Sequence, residues 1–228
     1  MKITISMTRQ ETQWGFFYLI AQFFLLPPLI TLVTSVLPTE PNEAQLNFLY
    51  YLLNFSAIVL IFRRFLWQNL ERLSMYPGYL FRVVLLGLAR YLLLNGVVGA
   101  LLMRLDPSYF NANDSAIAEM VRSELTLIAA GTILLVPVAE ESLFRGLIFG
   151  TLRKKSRLAA YLVSVCAFSV VHLIGYFGVY TPMQLLISFL SYLPAGFCLG
   201  WAYEKADTIF APILIHAAVN AIGIYGMR

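Results

Sequence analysis

Apolar runs close to the ~20 residues needed to cross a bilayer recur along this chain, separated by short polar segments. Seven are found, at about 14–37, 46–62, 79–103, 125–151, 158–180, 183–203 and 208–227. The pattern predicts an all-α, polytopic transmembrane helical bundle of about seven spans. No internal repeat, low-complexity tract or long linker divides it, so residues 1–228 are expected to form a single membrane-embedded domain. The first run exceeds the ~7–15 residues of a signal-peptide core and no small-residue cleavage site follows it, so it is expected to stay as a span.

Composition agrees with that reading. The 228 residues are 60% hydrophobic and 12% charged, with a mean hydropathy of +0.76; a water-soluble domain is far more polar. The net charge of +4 raises the question of nucleic acid. The basic residues, however, sit mostly between apolar runs, and no basic face is left for DNA or RNA. Lys2 and Arg9 precede the first run, Arg63, Arg64 and Arg72 follow the second, Arg153, Lys154, Lys155 and Arg157 join the fourth to the fifth, and Lys205 joins the sixth to the seventh. All fall on one side of the alternation, which predicts the N-terminus inside and the C-terminus outside. Cys166 and Cys198 both lie in apolar runs, where a thiol behaves as a small hydrophobe, and carry no disulfide framework.

Against this background a few polar residues stand out. The chain has two histidines, His172 and His216, and both interrupt apolar runs, as does Glu140-Glu141-Ser142-Leu143-Phe144-Arg145. An ionisable group near the bilayer centre costs about 2.5–3.5 kcal/mol even on the lenient insertion scale, so such groups usually mark a function. At a rise of ~1.5 Å per residue, Glu140 lies about 20 Å from Arg153, His172 about 22 Å from Arg157, His216 about 14 Å from Asp207 and Asn220 about 20 Å from it. Three runs thus carry polar groups to a similar depth, as a shared water-accessible cavity requires. His216 with Asn220, Phe168 with His172, and Glu141 with Arg145 are each four residues apart and share a helix face. Glu141 precedes Arg145 in the favourable order for an ion pair, which leaves Glu140, ~100° around the helix, to face elsewhere. Pro137 removes a backbone hydrogen bond and clashes with the carbonyl of Ile133, so the helix is expected to bend or open near Glu140. The ordinary readings are packing for Phe168 and for the Gly196-x-x-x-Gly200 spacing, kinks for Pro27, Pro28 and Pro194, and snorkelling or pairing for Arg82 and Arg90.

These residues resemble a known family. Glu140-Glu141-Ser142-Leu143-Phe144-Arg145-Gly146 is similar to the Glu-Glu-x-x-x-Arg motif of the CPBP intramembrane proteases, the group that includes the CAAX prenyl endopeptidases and the bacterial Abi proteins. Phe168 to His172 resembles its Phe-x-x-x-His motif, and His216 to Asn220 its His-x-x-x-Asn motif, in family order. The likeness runs from about Leu125 to the C-terminus. It implies an integral membrane endopeptidase with Glu140, His172, His216 and Asn220 catalytic, Glu141 and Arg145 as a supporting ion pair, and a membrane-associated or lipidated peptide or protein as substrate. It also implies a multi-pass protein of a bacterial plasma membrane, with links to peptide processing and bacteriocin immunity.

The chemistry suits those residues. A carboxylate in a low-dielectric cavity can take a proton from water and later return it, a histidine can orient that water, and His216 and Asn220 can donate to an oxyanion. The naming of relatives as metalloproteases implies instead a zinc ion on Glu140, His172 and His216. No His-Glu-x-x-His spacing decides between zinc and a metal-free glutamate mechanism. Non-proteolytic alternatives are an immunity protein, a proton-coupled transporter, or a b-type haem protein using His172 and His216, although haem leaves Glu140, Arg145 and Asn220 without a role.

Overall fold

The computed structural model describes residues 4–73, 75–107 and 111–226, and among them every regular element is helical. Eight helices follow in order: α1 Arg9–Thr34, α2 Glu43–Ile61, α3 Arg63–Leu73, α4 Pro77–Leu105, α5 over 112–153, α6 Arg157–Val171, α7 Pro182–Ala206 and α8 Phe210–Gly226. Four of them, α1, α2, α4 and α7, together with Asn113–Arg153 of α5, are long and apolar enough to cross a membrane, and α6 and α8 are shorter apolar helices. Each of the seven expected spans therefore contains a helix. Lys2 of the basic flank and Met227 at the end of the seventh expected span lie outside the described residues.

Two expectations need correction. The fifth run does not stay helical to Tyr180: α6 stops at Val171, a short 3₁₀ turn covers Ile174–Tyr176, and Gly178 turns the chain with φ 84°. Two nearby glycines, Gly175 and Gly178, supply no side chain to hold a helix, and a positive φ suits glycine. His172 consequently stands at the end of a helix rather than in the middle of one. The second difference is α3, which the apolar pattern leaves as a basic loop. It is amphipathic: Phe65 and Asn69 are buried while Trp67 is exposed. Asn69 donates to the carbonyl of Phe65 and accepts from the backbone N–H of Ile209 at 2.8 Å, tying α3 to the start of α8.

The basic flanks are gathered at one end of the bundle. Arg72 at the end of α3 meets Asp207 in the α7–α8 turn at 2.6 Å, and Asp207 also accepts from the backbone and hydroxyl of Thr4. Asp207 itself takes φ 54°, a left-handed conformation that aspartate tolerates better than most residues. Arg153 and Arg157 hold Glu204 of α7 at 2.7 and 2.8 Å. Glu11 caps α1 through Thr8 and accepts from the N–H of Phe65, joining the N-terminal helix to α3. Arg90, on the exposed side of α4, lies with its guanidinium 4.0 Å from the ring centre of Trp201, a cation–π contact that shelters a charge otherwise turned to lipid.

The helix α5 carries the irregular backbone. Its chain leaves helical geometry at Glu124 (φ −145°, ψ 61°), beside the expected start of the fourth span. Farther on, π-helical turns occupy Gly131–Leu135 and Ser142–Phe149, with a six-residue α-helical piece, Val136–Glu141, between them. Pro137 lacks the N–H that an α-helical turn would use, and the wider π turn before it relieves the clash with the preceding carbonyl. The expected opening near Glu140 is thus a pair of π turns flanking the segment that bears it.

Candidate active site

Three helices deliver the polar residues to one place. Glu140 and Glu141 come from the short α-helical piece of α5, His172 from the end of α6, and His216 and Asn220 from α8. His172 Nε2 lies 3.9 Å and His216 Nε2 4.0 Å from Glu140 Oε2. The agreement in depth expected from helical rise is met as a contact between side chains.

The other nitrogen of each ring determines what faces Glu140. His172 Nδ1 is 2.7 Å from the carbonyl of Phe168, one turn earlier. A carbonyl only accepts, so Nδ1 carries the hydrogen, and Nε2 of the neutral ring presents a lone pair. His216 Nδ1 lies 2.8 Å from Glu141 Oε1, which also receives Arg145 Nη1 at 2.9 Å. Glu141 is therefore an acceptor and His216 Nδ1 carries the hydrogen; Nε2 presents a lone pair in the neutral ring and an N–H in the protonated one. Glu140 Oε2 is buried and without a hydrogen-bond partner among the described residues. Glu140 Oε2 and the two Nε2 atoms thus converge without a direct hydrogen bond among them, an arrangement suited to a small ligand that bridges them.

Glu141 and Arg145 are fully buried and form the expected i,i+4 pair. Arg145 reaches farther than the spacing implied: Nη2 donates to the carbonyl of Gly196 at 3.2 Å, and its guanidinium lies 4.4 Å from the ring centre of Phe168. Phe168 is the packing hub of the site. It contacts Phe144 edge-on at 5.5 Å and packs against both imidazoles, tilted to His172 at 4.7 Å and edge-on to His216 at 6.0 Å between ring centres. Tyr192 of α7 stacks on His172 at 4.3 Å and its hydroxyl donates to Asn111 Oδ1. Asn220 donates one amide hydrogen to the carbonyl of Thr132, in the first π turn, at 2.8 Å. Its amide has a second N–H for a ligand.

Gly196 shows why α7 passes so close. A Cβ there would stand 2.9 Å from Val165 Cγ1 and 3.2 Å from Val165 Cα. Gly196→Ala is expected to lower stability by about 1–3 kcal/mol through overpacking and to shift the carbonyl that holds Arg145. Denaturant unfolding in detergent measures this, and an unchanged midpoint would show that α6 and α7 separate freely.

Two cavities flank the cluster. One of about 430 Å³ is bounded by α4, the start of α5, α7 and α8, and reaches His172, His216 and Asn220. The other, about 60 Å³, lies on the far side against α1 and α2 and reaches Glu140. Gln22, Tyr50, Tyr51 and Asn54 line this smaller pocket. Sequence reading left them unassigned. The signal was present in α2, where Asn47, Tyr51 and Asn54, spaced four and three apart, form a polar stripe on an apolar helix.

The fit of a metal can be tested on the spacing. Zinc bonds of about 2.0–2.2 Å place tetrahedral ligands about 3.4 Å apart. A water donating to two groups at about 2.8 Å places them about 4.4 Å apart. The 3.9 and 4.0 Å separations fall between the two, and among the described residues no three His, Cys, Asp or Glu side chains gather at metal-binding distance. The bis-histidine haem arrangement also fits poorly, because Glu140 stands within 4.0 Å of both Nε2 atoms, where the macrocycle would lie.

A multi-pass helical bundle that buries a carboxylate–imidazole cluster has the make-up of a CAAX-type membrane protease fold. Residues 122–222 match the family described as type II CAAX prenyl endopeptidase Rce1-like. A stretch of 90 residues is 32% identical to the UPF0177 protein YxdF of Lactococcus lactis subsp. lactis (strain IL1403), covering 40% of this chain and 44% of that protein. The chain thus spans less than half the length of that curated relative. No solved structure matches it significantly. The two matches support the CPBP/Abi family, and the family match covers Glu140, His172, His216 and Asn220.

Proposed function

We propose that this chain is a CAAX-type endopeptidase that hydrolyses a peptide bond of a membrane-associated or lipidated peptide or protein in a bacterial plasma membrane. The observation that carries the reading is the convergence of Glu140 Oε2, His172 Nε2 and His216 Nε2 beside a cavity large enough for a peptide segment. A water there donates one hydrogen to Glu140 and the other to His172. Its lone pair is then free to attack the substrate carbonyl carbon.

As the C–O bond forms, the proton passes to Glu140 and the carbonyl oxygen becomes an oxyanion, met by the second N–H of Asn220. The C–N bond breaks as Glu140 returns its proton to the leaving amine. The product acid keeps the remaining hydrogen of the water and then ionises. Glu141, paired with Arg145, accepts from His216 Nδ1, and in the protonated ring His216 Nε2–H is a second donor to the oxyanion. This reaction uses no metal.

The test uses purified protein in detergent and quenched-fluorescent peptides with and without a C-terminal prenylated cysteine. Hydrolysis is expected in the wild type, to fall about 10²-fold or more in His216→Ala, and to survive a strong chelator. Full activity in His216→Ala would remove this site from the reaction. Loss on chelation with rescue by zinc would replace the metal-free mechanism, and failure of every peptide to be cleaved would favour a non-proteolytic immunity role.

A further inference from the structure

The pocket on the α1–α2 side has no place in the reaction as derived, yet it is built for a polar occupant. Gln22 and Asn54 are buried there in the middle of apolar helices, among side chains of α1, α2 and α5 that are otherwise hydrophobic. Asn54 Oδ1 accepts from Tyr18 at 2.8 Å and Gln22 Nε2 donates to the carbonyl of Leu19, which fixes both amides and leaves one polar end of each unspent. Tyr51, steadied by Asn47 at 3.0 Å, and Tyr50 line the same space. Gly131 allows this approach: a Cβ at that position would stand 2.6 Å from the Tyr51 ring. Glu140 closes the pocket with an oxygen that is buried and unpartnered.

A volume of about 60 Å³ holds about four water molecules, and water occupies a buried cavity only where each molecule finds two to four polar partners. Gln22, Tyr50, Tyr51, Asn54 and Glu140 supply them. The peptide-sized cavity lies on the opposite side, against the histidines and Asn220. We infer that this pocket is a water reservoir that loads Glu140 from the side opposite the substrate, so that a bound peptide does not have to share its entrance with the nucleophile. The inference rests on the hydrolytic reading for its catalytic consequence, whereas the presence of water in the pocket does not. Gln22, Tyr50, Tyr51 and Asn54 are positioning residues in this scheme, acting through the water.

Radiolytic hydroxyl labelling in ¹⁸O-water reads the first part directly, because it marks side chains touching ordered internal water whether or not the protein is an active enzyme. Tyr50 and Tyr51 are expected to label well above Phe149, which is fully buried and away from the pocket. Equal labelling would mean a dry pocket and overturn the proposal. Gln22→Met and Asn54→Leu are expected to reduce that labelling and lower kcat about tenfold with KM unchanged, and Asn54→Asp, which keeps a partner for water, is expected to restore both. Should Asn54→Leu fail to fold, the nearly isosteric Gln22→Met carries the test alone. Unchanged kcat in a folded, unlabelled variant would overturn the reservoir. A wild type that labels but cleaves nothing would refute the endopeptidase reading and leave the hydrated pocket standing.

Discussion

Replacing Glu140 with glutamine is expected to lower peptide hydrolysis by about 10²–10⁴-fold, the usual contribution of a positioned general base, with little change in thermal stability. The side chain keeps its size and its distance of about 4 Å from both Nε2 atoms, but the amide cannot take a proton from water. Its amide keeps one acceptor and one donor group toward the imidazoles, so binding in the cluster persists while catalysis does not. The expected split is a loss in kcat with KM close to the wild-type value, read from steady-state kinetics on the cleaved peptide. A Glu140→Gln variant of full activity would mean that another group activates the water.

Arg145→Ala is expected to be the most destabilising single change, at about 3–5 kcal/mol, because it strands a charge inside the bundle. Glu141 and Arg145 are both fully buried, and Arg145 joins α5 to the carbonyl of Gly196 on α7. Removing it leaves Glu141 with His216 alone and takes the cation from the face of Phe168. Glu141→Gln leaves Arg145 without its counter-ion but is expected to cost less, since the volume is kept, the amide oxygen still accepts from Arg145, and the guanidinium retains the Gly196 carbonyl and the Phe168 ring. The order of unfolding midpoints in detergent, wild type above Glu141→Gln above Arg145→Ala, checks this. A lower midpoint for Glu141→Gln would show that the carboxylate, rather than the guanidinium, bears most of the structural role.

Much of the site was legible in residue order because it uses spacing within helices. The four-residue steps Phe168–His172, Glu141–Arg145 and His216–Asn220 place partners on one face of one helix, and two of the three become contacts of their own: the Phe168 carbonyl on His172 and the ion pair of Glu141 with Arg145. The third pair behaves differently. His216 turns to Glu141 and Asn220 to the carbonyl of Thr132, partners on another helix that local spacing does not specify. Gln22, Tyr50 and Asn54 were passed over because a single amide or phenol in an apolar run carries little signal until the helix opposite it is known.

The limit of the α6 helix has a similar cause. Hydropathy runs on through Tyr180 because Leu173, Ile174, Phe177 and Val179 are apolar. Backbone geometry is set instead by glycines and by what packs against the segment. His172 therefore ends a helix, and its Nδ1 takes the carbonyl of Phe168.

Sequence alone determined the membrane setting, the seven apolar helices, the shared depth of the polar residues and the resemblance to the intramembrane proteases, because hydropathy, helical rise and short motifs are properties of neighbouring residues. Only the tertiary structure decided that Glu140 faces both histidines, that each imidazole is held through Nδ1, and that Glu140 stands between a large cavity and a small one. Those depend on which helices pack together and how α5 is wound around Pro137, and distances across a bundle are set by packing among residues far apart in the chain.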